Sequence, residues 1–408
     1  MEEIKGKIIK FAPKLAIILV VIVVMAVGCS IFIGNKKNNE QLEDFLVEKT
    51  KKYLVDHKDK RPTDEHNQVT IKDTDLSKDN KYMKEISTYV KKDMTCSGEV
   101  IVTKNMKDYI YTPILDCGKE YKTPLLVDKI LEDNKIDEKD LYTYKYKVES
   151  YSLSSKLGKE PEDGQPSKES NSDNNHATLE KSTIEKTDYV FKGEYPNNFV
   201  KYAGKLWRIL RIKSDNRIRL LQTDYVESVV WDNRFNVEAG YTAGINDYSI
   251  SRIREAARTS FNNNVKNQYS MIALPQELCV GGQSDKSNDW TGNKECSSTL
   301  YGDKFGMIQL NEYFMVSLDP KCEYLKDLQC NNYNYLYPYV KTQGFWTITK
   351  NNDNTMDVYM LNYRATAKEA ATDTGLRLTV EIPGDLLSYT DGKGTEKDPY
   401  IVEYYYAD

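Results

Sequence analysis

The sequence predicts an α+β protein whose two globular regions lie outside a membrane. Short runs of strand-forming residues, bounded by Gly, Asn or Asp, recur along the chain and favour a largely antiparallel sheet. Apolar residues at helical spacing are confined to few segments, and the clearest one in the C-terminal half is residues 249–262. The 408 residues leave room for two domains that each bury a core.

Composition excludes several classes of function. The net charge of −5 gives no overall basic field, so we expect no nucleic-acid partner. The chain has 31 tyrosines but only three histidines, which are His57, His66 and His176. The C-terminal half therefore lacks the residue used most often for acid–base catalysis and for zinc sites.

An uncharged run of 20 residues, 15–34, is long enough to cross a bilayer. Four lysines precede it, within residues 1–14, so the positive-inside rule places 1–14 in the cytoplasm and 35–408 outside the cell. We predict an uncleaved single-pass helix. The alternative is a lipoprotein anchored at Cys29, because Gly-Cys after an apolar stretch is the local pattern of a lipidated N-terminus.

Six further cysteines predict disulfides in an oxidising compartment. In the segment CSGEVIVTKNMKDYIYTPILDC, two strands flank a turn at 105–108, and a hairpin centred there places Cys96 opposite Cys117. For the other four we predict pairing between neighbours. The expected bonds are Cys96–Cys117, Cys279–Cys296 and Cys322–Cys330.

Residues 35–153 predict a small α+β module. An amphipathic helix over 42–54 continues outward from the membrane, followed by a short strand at 69–71 and the cysteine hairpin. A second helix is expected to begin with Thr123 as N-cap and Pro124 in the first turn, before a tyrosine-rich strand at 141–153.

This layout resembles the pilin-like proteins of Gram-positive bacteria, in which one long N-terminal helix packs on a small disulfide-bonded sheet. The segment CSGEVIVTKN…YIYTPILDCG carries most of the resemblance. One departure is that the run from Leu15 contains no acidic residue, whereas a type IV prepilin has a glutamate early in the mature helix. This departure argues against processing into a pilus subunit.

Residues 154–187 predict a disordered linker, because the segment has few apolar residues and cannot bury enough surface to fold. The C-terminal domain, 188–408, begins with three short strands separated by AG and SDN turns. One helix at 249–262 and several late strands follow. The uninterrupted apolar strand GFWTIT (344–349) is expected at the centre of a twisted, mostly antiparallel sheet.

The segments YVFKGEYPNNFVKYAGKLWRILRI, GMIQLNEY, VYMLN, GLRLTVEI and DGKGTEKDPYIV give this domain its resemblance to a known type. It resembles a bacterial extracellular domain of unknown function related to the Fibrobacter-succinogenes-paralogue type, which has a C-type-lectin-like fold. The resemblance implies the fold over residues 188–403. It implies no ligand, because this fold supports many functions.

Two aromatic segments are candidates for ligand binding. Trp290 lies in the polar stretch SDKSNDWTGN between two cysteines, where its ring could stack on a sugar or a partner, or cover the domain's own core. Trp231, Asp232 and Asn233 form a WDN triplet similar to a lectin calcium motif. No Glu-Pro-Asn partner accompanies the triplet, and we predict no metal site and no cofactor.

These features favour a non-enzymatic bacterial cell-surface protein. One N-terminal helix would anchor it in the cell membrane, and a C-type-lectin-like head would bind an unknown extracellular glycan, protein or wall component. Two alternatives stay open, a structural or assembly component of a pilus or secretion machine and an extracytoplasmic enzyme. A free thiol among the last four cysteines would favour the enzyme.

Overall fold

In a computed structural model of the chain, the described residues are 37–64, 67–105, 108–155, 177–237, 240, 242–265, 268–286, 292–323, 330–403 and 405–407. Two compact units contain them. Unit 1 comprises the residues up to Pro124 with Leu386–Ser388 and Glu403–Asp408, and unit 2 comprises Leu125–Asp385 and Tyr389–Val402. No helix in these ranges is long and apolar enough to cross a membrane, and the predicted span at 15–34 lies outside them.

The described helices are α1 Asn39–Asp56, α2 Asp73–Ser77, α3 Leu126–Asn134, α4 Arg252–Asn264, α5 Gln268–Ile272, α6 Leu310–Met315, α7 Pro320–Glu323 and α8 Tyr337–Thr342. Short 3₁₀ helices occupy Lys58–Lys60, Lys78–Asn80, Ile86–Thr88, Tyr248–Ile250 and Glu295–Ser297.

The first strands are β1 Gln68–Lys72, β2 Ser97–Asn105, β3 Asp108–Asp116, β4 Leu141–Ser155, β5 Ala177–Phe191, β6 Phe199–Tyr202, β7 Lys205–Ile212, β8 Arg217–Gln222, β9 Glu227–Val230, β10 Phe235–Asn236 and β11 Thr242–Ala243. The later strands are β12 Glu277–Cys279, β13 Gly282–Gln283, β14 Thr299–Tyr301, β15 Phe345–Asn351, β16 Asp357–Asn362, β17 Arg364–Glu369, β18 Asp373–Leu376, β19 Thr379–Pro383, β20 Ser388–Asp391, β21 Tyr400–Glu403 and β22 Tyr405–Ala407. The fold is therefore α+β, as predicted.

In unit 1 the long helix α1 packs on a four-stranded antiparallel sheet of order β1-β2-β3-β22, and the short helix α2 follows β1. Helix α1 begins with a capping box, in which the side chains of Asn38 and Gln41 each accept a hydrogen bond from the other's backbone N–H. Its buried face carries Leu42, Leu46 and Leu54, which pack into the core beside the sheet. The predicted amphipathic helix and the strand at 69–71 are both present.

The cysteine hairpin has the predicted register. Ser97 pairs with Asp116 and Asn105 with Asp108, so the cysteines that precede and follow the strands face each other. Cys96 and Cys117 are disulfide-bonded, with a Cα–Cα distance of 4.1 Å. The predicted pairs Cys279–Cys296 and Cys322–Cys330 are bonded as well.

We expect the Cys96–Cys117 bond to dominate the stability of unit 1. The bond joins cysteines 21 positions apart, and closing a loop of this length removes unfolded-chain entropy worth about 3 kcal/mol. Cys96→Ser/Cys117→Ser should therefore lower the free energy of unfolding of unit 1 by about that amount in urea titrations. Replacing both Cys322 and Cys330 is the control, and an unchanged unit 1 transition in the first variant would contradict the prediction.

The start of the second helix differs from the prediction. Helix α3 begins at Leu126, and Leu125 occupies the N-cap without a side-chain hydrogen bond. Thr123 instead accepts a hydrogen bond from the backbone N–H of Leu115 at 2.8 Å and donates its hydroxyl proton to Glu43 of α1. The hydroxyl is thus used within unit 1, and the N-cap lies two residues later than predicted.

The two compact units divide the chain within the predicted module 35–153. The boundary between the units lies at Pro124, so the segment 125–153 belongs to unit 2. Part of the predicted linker is strand, since β4 and β5 pair antiparallel over 15 residues, from Leu141 opposite Phe191 to Ser155 opposite Ala177. Cross-strand hydrogen bonds satisfy the backbone groups of this polar segment, in which residues 181–186 are exposed. Residues 156–176 lie outside the described residues.

Unit 2 contains two larger sheets. One has the order β19-β8-β7-β6-β21-β20, with β5 beside β7 and β4 beside β5. The other has the order β17-β16-β15-β18-β9, with β13 beside β15. Most described pairs are antiparallel, and the parallel ones are β13–β15, β15–β18 and β6–β21.

The predicted central strand is confirmed. Strand β15 lies between β16 and β18, and six of its seven residues are buried, including Trp346. Helix α4 matches the predicted helix within three residues, with Ser251 as its N-cap. The expectation of a single helix in the C-terminal domain is wrong, because residues 188–408 also contain the short helices α5–α8.

A buried ion network crosses one sheet of unit 2. Arg219 of β8 donates from Nε and Nη2 to the two carboxylate oxygens of Glu312 in α6, at 2.5 and 3.1 Å. Arg211 of β7 lies 3.6 Å from both Glu312 and Asp188, and Glu381 of β19 lies 3.5 Å from Arg219. Burial works to raise the pKa of Glu312, but the two arginines lower it. The charges are thus compensated inside the protein.

Candidate functional site

Unit 2 exposes a group of large hydrophobic side chains, which we call the tyrosine surface. It consists of Tyr195, Leu318, Tyr333 and Tyr363, whose exposed fractions are 83%, 40%, 59% and 57%. Exposed apolar groups that cluster, rather than scatter singly, mark interaction sites on soluble domains. The tyrosine surface is therefore the first candidate for ligand binding.

Hydrogen bonds bring these residues together from distant segments. The side chain of Asn331 donates to the carbonyl of Tyr363 at 2.6 Å and accepts the hydroxyl proton of Tyr313 at 2.8 Å. The backbone N–H of Leu318 donates to the carbonyl of Tyr333 at 3.1 Å. A bridge between Gly193 and Asn334 brings the segment that carries Tyr195 into the same region.

A buried asparagine and a disulfide hold the loop beneath the tyrosines. Asn334 is 2% exposed, and its side chain donates to the carbonyls of Tyr313 and Cys330 at 3.0 and 2.9 Å. Cys330 is bonded to Cys322 next to α7. A loop with this many internal bonds presents its exposed side chains in a preorganised arrangement, which lowers the entropy lost on binding.

Two of the exposed tyrosines have left-handed backbone conformations. The φ angles are +48° at Tyr333 and +57° at Tyr363, a region that residues with a Cβ rarely adopt. Each costs the fold about 1–2 kcal/mol relative to a right-handed residue. Strain of this kind is concentrated at functional sites, where the surrounding structure holds it in place.

The chemistry of the surface suits a ligand with both apolar and polar faces. A phenol ring offers a flat apolar face for stacking and a hydroxyl that donates and accepts hydrogen bonds. Polar groups border the rings, since the side chain of Asn332 donates to Asp319 at 2.8 Å beside Leu318. A sugar ring or a protein surface satisfies these requirements.

We predict that relieving the strain at Tyr363 stabilises the fold. Tyr363→Gly should raise the free energy of unfolding by about 0.5–1 kcal/mol, because glycine adopts positive φ without steric cost. The hydrogen bond from Asn331 goes to a backbone carbonyl and is retained. Urea denaturation measures the change. Tyr301→Gly, an exposed strand position, should destabilise, and a similar loss at Tyr363 would refute the strain.

The structure gives two of the predicted ligand contacts a structural role. Trp231 is fully buried, with its ring centroid 5.9 Å from those of Tyr248 and Trp346. Asp232 is fully buried too, and its carboxylate accepts hydrogen bonds from the Arg234 side chain and from the backbone N–H of Arg252, the first residue of α4. Neither side chain has surface available for a ligand.

Asn233 and Trp290 are the other two predicted ligand contacts. Asn233 is exposed, and its side-chain oxygen accepts a hydrogen bond from Arg252. Trp290 lies outside the described residues, although the disulfide that closes its loop is present. Both stay predictions.

A buried glutamate lies beside that disulfide. Glu295 is fully buried, accepts the hydroxyl proton of Thr349 at 2.8 Å and faces the backbone N–H of Asn311 at 3.4 Å. Burial raises the pKa of Glu295 to about 8, with the charge of Glu312 adding to the rise. At neutral pH the carboxyl is therefore mostly protonated, and it braces the loop as a neutral hydrogen-bonding group.

We predict that Glu295 makes unit 2 less stable as the pH rises. The folded-state pKa lies above the ordinary value of 4.5, so the stability it contributes is fully present below pH 4.5 and is lost as the pH rises through about 8. In Glu295→Gln this loss should vanish, which thermal unfolding between pH 5 and about 9 would show. Glu227→Gln at an exposed position is the control. Parallel pH profiles for parent and Glu295→Gln would contradict the prediction.

The described residues contain no group of three His, Cys, Asp or Glu side chains placed to hold a metal ion. The segment 391–400 forms a turn that is closed by its own hydrogen bonds. The backbone N–H of Lys393 donates to the carbonyl of Asp398 at 2.9 Å, and that of Gly392 donates to the Asp391 side chain at 2.8 Å.

Sequence reasoning did not identify the tyrosine surface. Its members come from four separate segments, and a single sequence does not reveal which exposed tyrosines converge. One signal was present, because Tyr333 and Tyr363 each follow an asparagine, in NNYN and LNYR, and asparagine is common where the chain turns.

Comparison with known proteins does not assign the chain to a family. No protein-family model matches the chain, and no curated protein or solved structure matches it either.

Proposed function

We propose that the chain is a bacterial cell-surface protein that binds an extracellular glycan, protein or wall component without catalysis. In this proposal residues 15–34 anchor it in the membrane, the N-terminal module is pilin-like, and the C-terminal domain is a C-type-lectin-like head. The uncharged run with its preceding lysines supports the anchor. The three disulfides support an oxidising compartment outside the cytoplasm.

The tyrosine surface is the observation that carries the binding function. Tyr333 and Tyr363 are exposed, strained in their backbone, and held by hydrogen bonds that their backbone carbonyls accept from Leu318 and Asn331. Selection for stability alone would remove exposed aromatic rings from strained backbone positions. A rigid recognition loop, in contrast, needs exposed rings in fixed positions to contact a ligand. Among the possible ligands we favour a glycan, because a pyranose ring offers the apolar face and the hydroxyl groups that a tyrosine can contact.

The test is a combined glycan and protein array probed with the full-length chain produced in an oxidising compartment. Tyr333→Ala and Tyr363→Ala should each weaken binding to any captured ligand about tenfold or more, as expected for a central aromatic contact. Tyr301→Ala removes a tyrosine of similar exposure, 66%, elsewhere on unit 2, and should leave binding unchanged.

Trp290→Ala separates the tyrosine surface from the loop that the sequence favoured. Loss of binding in Trp290→Ala with retention in both Tyr333→Ala and Tyr363→Ala would move the site to the Cys279–Cys296 loop. Turnover of a captured ligand would reject the non-enzymatic proposal. Intact binding in all three variants would leave the tyrosine surface without a role and overturn the assignment.

A further inference from the structure

Arg208 of β7 is a buried cation whose side chain donates no hydrogen bond to any other residue that the structure describes. It is 5% exposed, and its Nε is buried without an acceptor among the described residues. Two aromatic rings enclose the guanidinium, with centroids 3.9 Å away at Phe199 and 4.4 Å away at Tyr335. The rings stabilise the charge but accept none of its five N–H groups.

A second arginine lies in the same place. Arg377 is also 5% exposed, and its guanidinium lies 4.9 Å from the ring centroid of Tyr339 and 5.3 Å from that of Phe345. It donates from Nη1 to the backbone carbonyls of residues 222 and 223, while its Nε is buried and unpaired. Residue 222 pairs with Trp207, which precedes Arg208 in β7, and the rings of Tyr335 and Tyr339 that contact the two guanidinium groups are four positions apart, so the two cations lie near each other. Burial raises the pKa of half-buried Tyr339, and both guanidinium charges act against this rise.

Arg219, in the strand that pairs with β7, shows the hydrogen bonds that a buried structural arginine makes. Arg219 is 3% exposed, and it donates to both carboxylate oxygens of Glu312 and to Gln276. Burial lowers the pKa of Arg208 and of Arg377, and no carboxylate reverses this. The described part of the chain thus supplies a full set of acceptors to Arg219 and none to Arg208.

The nearby carboxylates do not pair with the two cations. Glu396 acts on Arg208 and Asp224 acts on Arg377 only through longer-range attraction, and both acids are exposed. Neither carboxylate has an oxygen within 4.0 Å of a side-chain nitrogen of Arg208 or Arg377. Their negative charge would repel a dianion more strongly than a monoanion.

We propose that Arg208 and Arg377, with Tyr339, form a binding site for a carboxylate group. A planar carboxylate accepts two parallel hydrogen bonds from a guanidinium, and the tyrosine hydroxyl can supply a further donor. The ligand class is a monocarboxylate, either a free organic acid or an acidic sugar. The site contains none of the four residues of the tyrosine surface, and the proposal does not depend on the function assigned there.

Calorimetric titration of the full-length chain tests the site with four probes: acetate, glucuronate, glucose and inorganic phosphate. Acetate and glucuronate should bind, and glucose and phosphate should bind more weakly than either. Equal affinity for acetate and glucuronate would show that the carboxylate group alone is sufficient for binding. Tighter binding of glucuronate would show that the sugar ring adds contacts.

Arg208→Gln should weaken carboxylate binding about tenfold or more, because hydrogen bonds to a charged group are lost. Arg258→Gln, which removes a partly exposed arginine that pairs with Glu255, is the matched control and should bind as the parent does. Arg208→Lys keeps the charge without the planar fork and should also bind more weakly, which guards against a folding failure of the first variant.

A stability measurement distinguishes a ligand site from a structural arginine. Without ligand, Arg208→Met should have a thermal midpoint equal to or above that of the parent, because it removes an uncompensated buried charge. Added glucuronate should raise the midpoint of the parent but not of this variant. Three results would overturn the proposal: no carboxylate binding by the parent, phosphate binding more tightly than carboxylate, or unchanged affinity in Arg208→Gln and Arg208→Lys.

Discussion

The buried pair of Arg219 and Glu312 constrains much of unit 2. Two charges with 3% exposure each are costly to remove from water, and this cost is offset only if every donor and acceptor is placed correctly. Here the bidentate contact requires β8 and α6 to keep one relative position, and Arg211 and Glu381 extend the requirement to β7 and β19. An apolar contact would tolerate small shifts of these elements, whereas a buried ion pair does not. The network therefore specifies the arrangement of the sheet as well as stabilising it.

Against this background, the arginine on the neighbouring strand stands apart. Arg208 and Arg219 belong to paired strands and are buried to nearly the same extent. Arg219 is saturated with acceptors, whereas Arg208 stacks on two aromatic rings and donates to no acceptor among the described residues. A protein under selection for stability alone would gain by replacing an unpaired buried cation with an apolar residue. The carboxylate ligand proposed above would explain why the cation is retained, since the described residues supply no acceptor for it. Comparison of Arg208 with Arg219 therefore identifies the candidate carboxylate site more clearly than the surroundings of either arginine alone.

The features that sequence could predict are those set by local pattern. The register of the Cys96–Cys117 hairpin follows from strand spacing and turn position, and the burial of β15 follows from its uninterrupted apolar run. The pairing of β4 with β5 could not be predicted, because residues 177–187 are polar and their strand depends on hydrogen bonds to a partner 22 or more positions away. The buried position of Trp231 was missed for a similar reason, since burial depends on Tyr248 and Trp346 meeting it in space. Local composition describes a residue's own preference and does not show what packs against it.

The asparagines in the loop beneath the tyrosine surface hold its backbone in place. A left-handed residue is tolerated only where neighbouring groups hold it, and Asn331 and Asn334 supply these groups by bonding to backbone carbonyls of other segments. Side chains that bond to backbone leave the identity of the exposed residue free to vary. Tyr333 and Tyr363 could therefore be exchanged for other ring systems without loss of the loop geometry, whereas Asn334 could not. A scaffold of this kind separates the residues that maintain the fold from those that meet a ligand, so that the ligand could change during evolution while the loop stayed in place.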